Sequence, residues 1–134
     1  IVTNSSIGEN NQIGPFAYIR ESTSTLSNVE IGNFVEVKSS QIGKNSKSKH
    51  LSYIGDTDIL NNVNVGAGAV VANFDGKNKN KSTIKENAFI GSNSTIISPV
   101  IIGSSSVVGA GTVVTKDVDF KEIVVGNPSR KLGK

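Results

Sequence analysis

Branched aliphatic residues recur every six positions along the second half of the chain: Ile84, Ile90, Ile96, Ile102, Val108 and Val114. Four places after each of the first five stands a compact residue: Ala88, Ser94, Val100, Ser106 and Thr112. A period of six is neither the 3.6 of a helix nor the simple alternation of a strand. Six-residue words are the mark of a parallel β-helix, in which each word supplies one short strand and one corner. Three words close a triangular coil, so Ile84 is expected beneath Ile102 and Ile90 beneath Val108. The head of each word points inward with the compact residue that follows it, because the prism is narrow. Each buried Ile or Val is worth roughly 1.5–3 kcal/mol, and no single word can bury its own face, so the coils must stack. The expected class is all-β.

The same ladder runs from the first residue: Ile1, Ile7, Ile13, Ile19, Thr25, Ile31 and Val37. Five-residue steps follow, Val37 to Ile42 and Ile54 to Ile59, with Ser48 as a polar rung between them. After Val65 and Val71 the lysine-rich stretch Lys77-Asn-Lys-Asn-Lys-Ser-Thr83 has no aliphatic head. Residues 74–83 are therefore read as a loop extruded from a corner. The ladder is expected to end near Val118, giving a repeat domain over 1–118 and an irregular tail over 119–134. Pro128 and two glycines argue against a long helix in the tail, which is expected to pack along a face or reach a neighbouring subunit.

Low hydrophobic content (36%) and few aromatics (5%) suit a thin prism whose side chains mostly face outward. Cysteine is absent, which excludes disulfides and thiolate metal sites, and one histidine cannot build a multi-histidine zinc centre. No metal is expected. The net charge of +3 suits a small phosphate-bearing ligand, and no basic run interleaved with aromatics points to nucleic acid. No apolar stretch is long enough to span a bilayer, so no membrane partner is expected and a cytoplasmic location is the default. The lack of any methionine reads as a piece of something longer.

Breaks in a regular pattern tend to mark functional sites. Near the breaks lie Arg20, Glu36, Lys38, His50, Tyr53, Asn64, Asn73 and Lys79. His50, the one histidine, is either a general base suited to neutral pH or a solvated residue on a polar coil. Glu36, 14 residues before it, either orients the imidazole or is solvated. Arg20 and Lys38 are 18 residues apart, one full turn, and should project side by side. Two adjacent cations suit an intervening phosphate or carboxylate, or extend separately into water. Val65-Gly-Ala-Gly-Ala-Val70 and Val108-Gly-Ala-Gly-Thr-Val113 obey the six-residue rule and lack the Lys-Ser/Thr ending of a phosphate loop.

Five segments together carry a closer resemblance: Ile13-Gly-Pro-Phe-Ala-Tyr-Ile-Arg20, Gly32-Asn-Phe-Val-Glu-Val-Lys38, His50-Leu-Ser-Tyr-Ile-Gly-Asp56, Asn64-Val-Gly-Ala-Gly68 and Asn73-Phe-Asp-Gly-Lys-Asn-Lys79. From about Ile7 to Val118 the chain resembles the acetyltransferase domain of the bacterial bifunctional enzyme that makes UDP-N-acetylglucosamine. That enzyme joins a glucosamine-1-phosphate acetyltransferase to an N-acetylglucosamine-1-phosphate uridyltransferase. The resemblance implies a left-handed β-helix, a handedness rare among parallel β connections. It also implies a homotrimer with active sites between subunits, acetyl-CoA as donor and no metal for this step. By the same resemblance His50 is the general base and Glu36 supports it. Arg20, Lys38, Tyr53, Asn64 and Lys79 would hold the sugar phosphate. Ala67, Asn73, Phe74, Ser92 and Ala110 would line the acetyl-CoA groove, the backbone N–H of Ala67 serving the developing oxyanion.

The chain departs from the family at Phe74, where a tyrosine is usual, and in Val124-Val-Gly-Asn-Pro-Ser-Arg130, where only Arg130 offers a cation for the cofactor phosphates. Two rivals stay open on sequence alone. One is an acetyltransferase of the same fold acting on another amino sugar or an amino acid. The other is a non-catalytic β-helix that serves as a trimerisation scaffold.

Overall fold

A computed structural model describes residues 1–133. Among these every regular element is a strand, and no helix is long and apolar enough to cross a membrane. The strands form three parallel sheets, the faces of a triangular prism. Face A stacks Tyr18–Arg20, Glu36–Lys38, Tyr53–Gly55, Val70–Ala72, Thr95–Ile97 and Val113–Val114. Face B stacks Ser24–Thr25, Gln41–Ile42, Thr57–Ile59, Ser82–Ile84 and Ile101–Ile102. Face C begins with Gln12–Ile13, Glu30–Asn33, Lys47–His50 and Asn64–Val65 and continues through Phe89–Ile90, Val107–Val108 and Ile123–Val125. The fold is a left-handed β-helix built from six-residue repeats.

The register follows the ladder. Ile84 pairs with Ile102, and Ile90 with Val108. From Ile19 to Val114 every aliphatic rung is buried, as are Ala88, Ser94, Val100, Ser106 and Thr112. At the open end of the prism the first rung is Val2 rather than the expected Ile1, since Val2 pairs with Ile19, and Ile1, Val2 and Ile7 are all exposed there. The polar rungs Thr25 and Ser48 are buried too.

Corners set the coil length. Between faces B and C the chain turns on Asn10, Asn28, Asn45, Asn62 and Asn87, all with φ between 55° and 64°. Asparagine is among the L-residues that best tolerate this left-handed region. Between faces A and B the first coil turns on Asn4 alone, the second on two such residues, Glu21 and Ser22, and the next two on Ser39 and Asp56 alone. That single-residue economy is the origin of the five-residue steps.

Two boundaries differ from the sequence expectation. The extruded loop is 73–81, because Ser82 and Thr83 already pair with Thr57 and Asp58 on face B. The ladder also runs past Val118. Ile123–Val125 pairs in parallel with Val107–Val108, and Val124 enters the core. Arg130–Lys131 then folds back antiparallel on that strand, so the tail closes the prism's end. The signal was hidden because the step from Val114 to Val118 is only four residues, which breaks the six-residue spacing before it resumes from Val118 to Val124.

Candidate active site

The strands of face A bring one group together. Tyr18, Glu36, Tyr53 and Val70 form one outward column, and Arg20, Lys38 and Gly55 the next. Arg20 and Lys38 are thus neighbours on successive coils, as their one-turn spacing predicts. Their mutual repulsion is relieved by the protein's own carboxylates. The Arg20 Nε–H donates to Glu36 Oε2 at 2.7 Å, and the guanidinium also pairs with Glu21. These contacts, that of Glu36 foremost, hold the Arg20 proton above its ordinary affinity. The buried Lys38 ammonium lies 3.4 Å from Asp56 Oδ2. Asn73, at the root of the loop, donates from Nδ2 to the same oxygen at 2.6 Å.

Gly55 makes this convergence possible. A Cβ there would come within 2.5 Å of the Tyr53 hydroxyl oxygen and 2.6 Å of Asn73 Nδ2. The missing side chain is the space in which Tyr53 and Asn73 meet beside Asp56 and Lys38.

A second group forms a column at the corner between faces C and A. The His50 carbonyl accepts from Gly68 N–H at 3.2 Å, that of Ala67 from Asn93 N–H at 2.8 Å, and that of Ser92 from Gly111 N–H at 2.8 Å. His50, Ala67, Ser92 and Ala110 are therefore successive rungs, about 4.8 Å apart. Among the described residues no acceptor meets the N–H groups of Ala67, Ser92 and Ala110. Arg130 ends this corner, its Nε lying beside Gly126.

The remaining sequence candidates stand apart in the single chain. Asn64 is on face C, paired with Lys47 below and Phe89 above. Phe74 and Lys79 bridge each other across the loop and are exposed. That loop is a small hairpin gathered by Asp75, whose carboxylate accepts from the N–H groups of Lys77 and Asn78 and from Asn80 Nδ2. These bonds, led by that from Asn78, hold its carboxyl below the usual range.

Glu36 does not contact His50. The imidazole Nδ1 instead lies 3.3 Å from Asn33 Oδ1. Beside the pair, a shallow cavity of about 210 Å³ on face C is lined by Gln12, Glu30 and Lys49 as well. Lys49 and Lys47 hold the Glu30 carboxyl below its ordinary range, Lys49 foremost. Sequence reasoning passed over Asn33 and Asp56. Both lie one coil from the residue they meet: Asn33 is His50's register partner 17 residues before it, and Asp56, 18 after Lys38, stands one place past that lysine's register partner Gly55.

The sequence pattern of the bacterial transferase hexapeptide (six repeats) matches residues 81–116. The bifunctional protein GlmU of Wigglesworthia glossinidia brevipalpis is 54% identical over 125 residues, 93% of this chain and 27% of that protein. The chain thus spans little more than a quarter of that relative's length. Among solved structures, a single-residue variant of AntD, an N-acyltransferase from Bacillus cereus in complex with dTDP and coenzyme A, superposes with a TM-score of 0.86 at 25% identity. It is matched over 95% of this chain and 81% of its own. PerB from Caulobacter crescentus, in complex with coenzyme A and GDP-perosamine, gives 0.84 at 25% identity, over 92% of this chain and 57% of its own. By sequence and by fold, the chain carries the hexapeptide repeat of the bacterial transferases and is similar over nearly all of its length to GlmU.

Proposed function

We propose that the chain is an acetyl-CoA-dependent N-acetyltransferase that acetylates the 2-amino group of glucosamine-1-phosphate, in the cytoplasm, as the acetyltransferase part of a GlmU-type enzyme. The observation that carries this reading is the corner column. A lone imidazole stands at the foot of a row of free backbone N–H groups, and a pair of cations lies one face away. The coenzyme A seen in AntD and PerB supports a thioester donor for the same fold at 25% identity.

In this reading the pantetheine arm runs along Ala67, Ser92 and Ala110, with Asn73 and Phe74 at its side and Arg130 toward its phosphates. The acceptor's phosphate takes Arg20 and Lys38 from their carboxylate partners, and Tyr53 fixes the sugar. The amine attacks the thioester carbon, a C–N bond forms and His50 accepts the ammonium proton. That role typically contributes on the order of 10²–10⁴-fold. The Ala67 N–H faces the oxygen on which charge develops. The C–S bond then breaks, and the imidazolium returns its proton to the departing sulfur, giving free coenzyme A and the N-acetyl sugar. Holding both reactants in one orientation supplies much of the remaining acceleration.

The site requires further copies of the chain, and a homotrimer is the assembly proposed. Asn64 and Lys79 lie away from the face A cluster in one chain and complete it only if supplied by a neighbour. Phe16, Phe34 and Leu51 support such a contact. They are 76%, 57% and 62% exposed in a line along the His50 corner, and the two phenyl rings stack at 5.6 Å.

Thiol release from acetyl-CoA, measured with glucosamine-1-phosphate and with plain glucosamine on the assembled protein, tests the reading. The phosphorylated acceptor is expected to give the larger kcat/KM, and Arg20→Ala to erase that preference. Equal turnover with both acceptors would favour the rival acetyltransferase, and no thiol release with any amine the scaffold.

A further inference from the structure

We propose that Asn33 is a positioning residue that sets the tautomer of His50, keeping the proton on Nδ1 and leaving the Nε2 lone pair to the acceptor amine. The inference rests on His50 being the base of the proposed reaction and identifies what aims it.

Asn33 and His50 are register partners on adjacent coils of face C. Their side chains meet at 3.3 Å, Nδ1 to Oδ1. An amide oxygen can only accept, so a neutral imidazole that meets it through Nδ1 must carry its proton there. The other ring nitrogen is then unprotonated, as a base requires. An isolated imidazole prefers the opposite arrangement, with the proton on Nε2, so the neighbour at Nδ1 decides the tautomer.

The backbone fixes this neighbour from both sides. Gly32 lets the two strands close up: a Cβ there would lie 2.0 Å from the Lys49 carbonyl oxygen. Leu51 N–H donates to the Asn33 carbonyl at 3.1 Å, and the His50 carbonyl accepts from Gly68 N–H. Leu51 itself is held at φ 52°, a strained value for a branched side chain, immediately after the imidazole. Glu36, the other candidate partner for the ring, is occupied by Arg20. Of the charged groups, Glu30 and Lys49 line the cavity beside the ring, with Lys47 also paired to Glu30, and Glu36 on face A is paired with Arg20. The coil above offers the uncharged Asn64 and Ala67. The group touching Nδ1 is therefore a neutral amide, which orients the ring without adding charge to it.

Because His50 is the chain's one histidine, ¹⁵N-histidine NMR reads this ring alone. The expected parent spectrum, recorded on the assembled protein above the ring's titration, shows the proton on Nδ1. Asn33→Ala is expected to shift the population toward Nε2–H. It should also lower kcat on the order of 10-fold, well short of the loss of the base itself, with KM for acetyl-CoA within about twofold. Asn33→Asp keeps an acceptor at the same place and adds a charge. It should preserve the tautomer and raise the ring's titration midpoint above the parent's, because a nearby carboxylate favours the imidazolium. A merely structural asparagine would move neither NMR quantity. A parent ring protonated on Nε2, or an unchanged tautomer in a folded Asn33→Ala, overturns the proposal. The NMR readout needs no substrate, so failed acetyl transfer would count against the proposed function and leave the tautomer assignment to stand or fall separately.

Discussion

Ser48 occupies a rung that the ladder normally gives to Ile or Val, between Ile31 below and Val65 above. It is 1% exposed, and its Oγ is the buried side-chain atom left without a hydrogen-bond partner among the described residues. The space beside it, lined by Ile31, Ile42, Ile54, Ile59 and Val65, has no room for a water. Ser48→Val is therefore expected to stabilise the protein. Leaving a buried hydroxyl unpaired costs about 1–3 kcal/mol, and Ser48→Ala should recover that part alone. Valine adds apolar contact at about 0.8 kcal/mol per methyl group, less whatever strain the narrow prism imposes. The net expectation is about 2 kcal/mol for Val and about 1 for Ala. The assay is denaturant unfolding at one fixed chain concentration, since assembly shifts the midpoint by mass action. Both midpoints should rise with the slope unchanged, Val above Ala. A fall in both midpoints would refute the reasoning, because it would mean that the hydroxyl has a partner in the folded state.

Three further outcomes follow from particular contacts. Gly32→Ala should destabilise by at least about 1–3 kcal/mol and lower activity through His50, because its Cβ meets backbone rather than a yielding side chain; a parent-like midpoint and rate would contradict this. Asp56→Asn leaves the buried Lys38 ammonium without its carboxylate and should cost about 3 kcal/mol, part of which Lys38→Met in the same background should restore. Denaturation midpoints of the single and double variants decide it. Asp75, whose carboxyl is held below its ordinary range, contributes loop stability that is present above the unfolded pKa and lost only as pH falls through the lower folded value. Amide exchange at Lys77 and Asn78 should stay protected through the usual carboxylate range and rise below it; protection lost already above that range would exclude the role given to Asp75.

The core was legible because burial in a thin prism repeats. Ile84, Ile90 and Ile102 had one place to go, and even Thr25 and Ser48 kept their rungs. Spacing also placed Arg20 beside Lys38, since register along a coil depends only on counting residues. What counting cannot supply is the choice among partners within reach. Glu36 could turn toward His50 or Arg20, and the full charge of Arg20 one coil below takes it. Asn33 and Asp56 were in plain view but ordinary in type, and only the corner geometry shows what they touch. The loop's end and the extra rung at Val124 escaped for a different reason. Ser82 is polar yet buried, bonded to Ser98 Oγ at 2.7 Å, and the four-residue step from Val114 to Val118 interrupts the spacing just before the tail's rung.

The central claim is that one imidazole at the foot of a column of free amides moves the acetyl group. Initial rates of N-acetylglucosamine-1-phosphate formation, compared between the parent and His50→Ala at matched oligomeric state and circular dichroism, test it most directly. The expected result is a loss on the order of 10²–10⁴-fold in kcat with assembly intact. Parent-like turnover by a correctly assembled His50→Ala protein would contradict it.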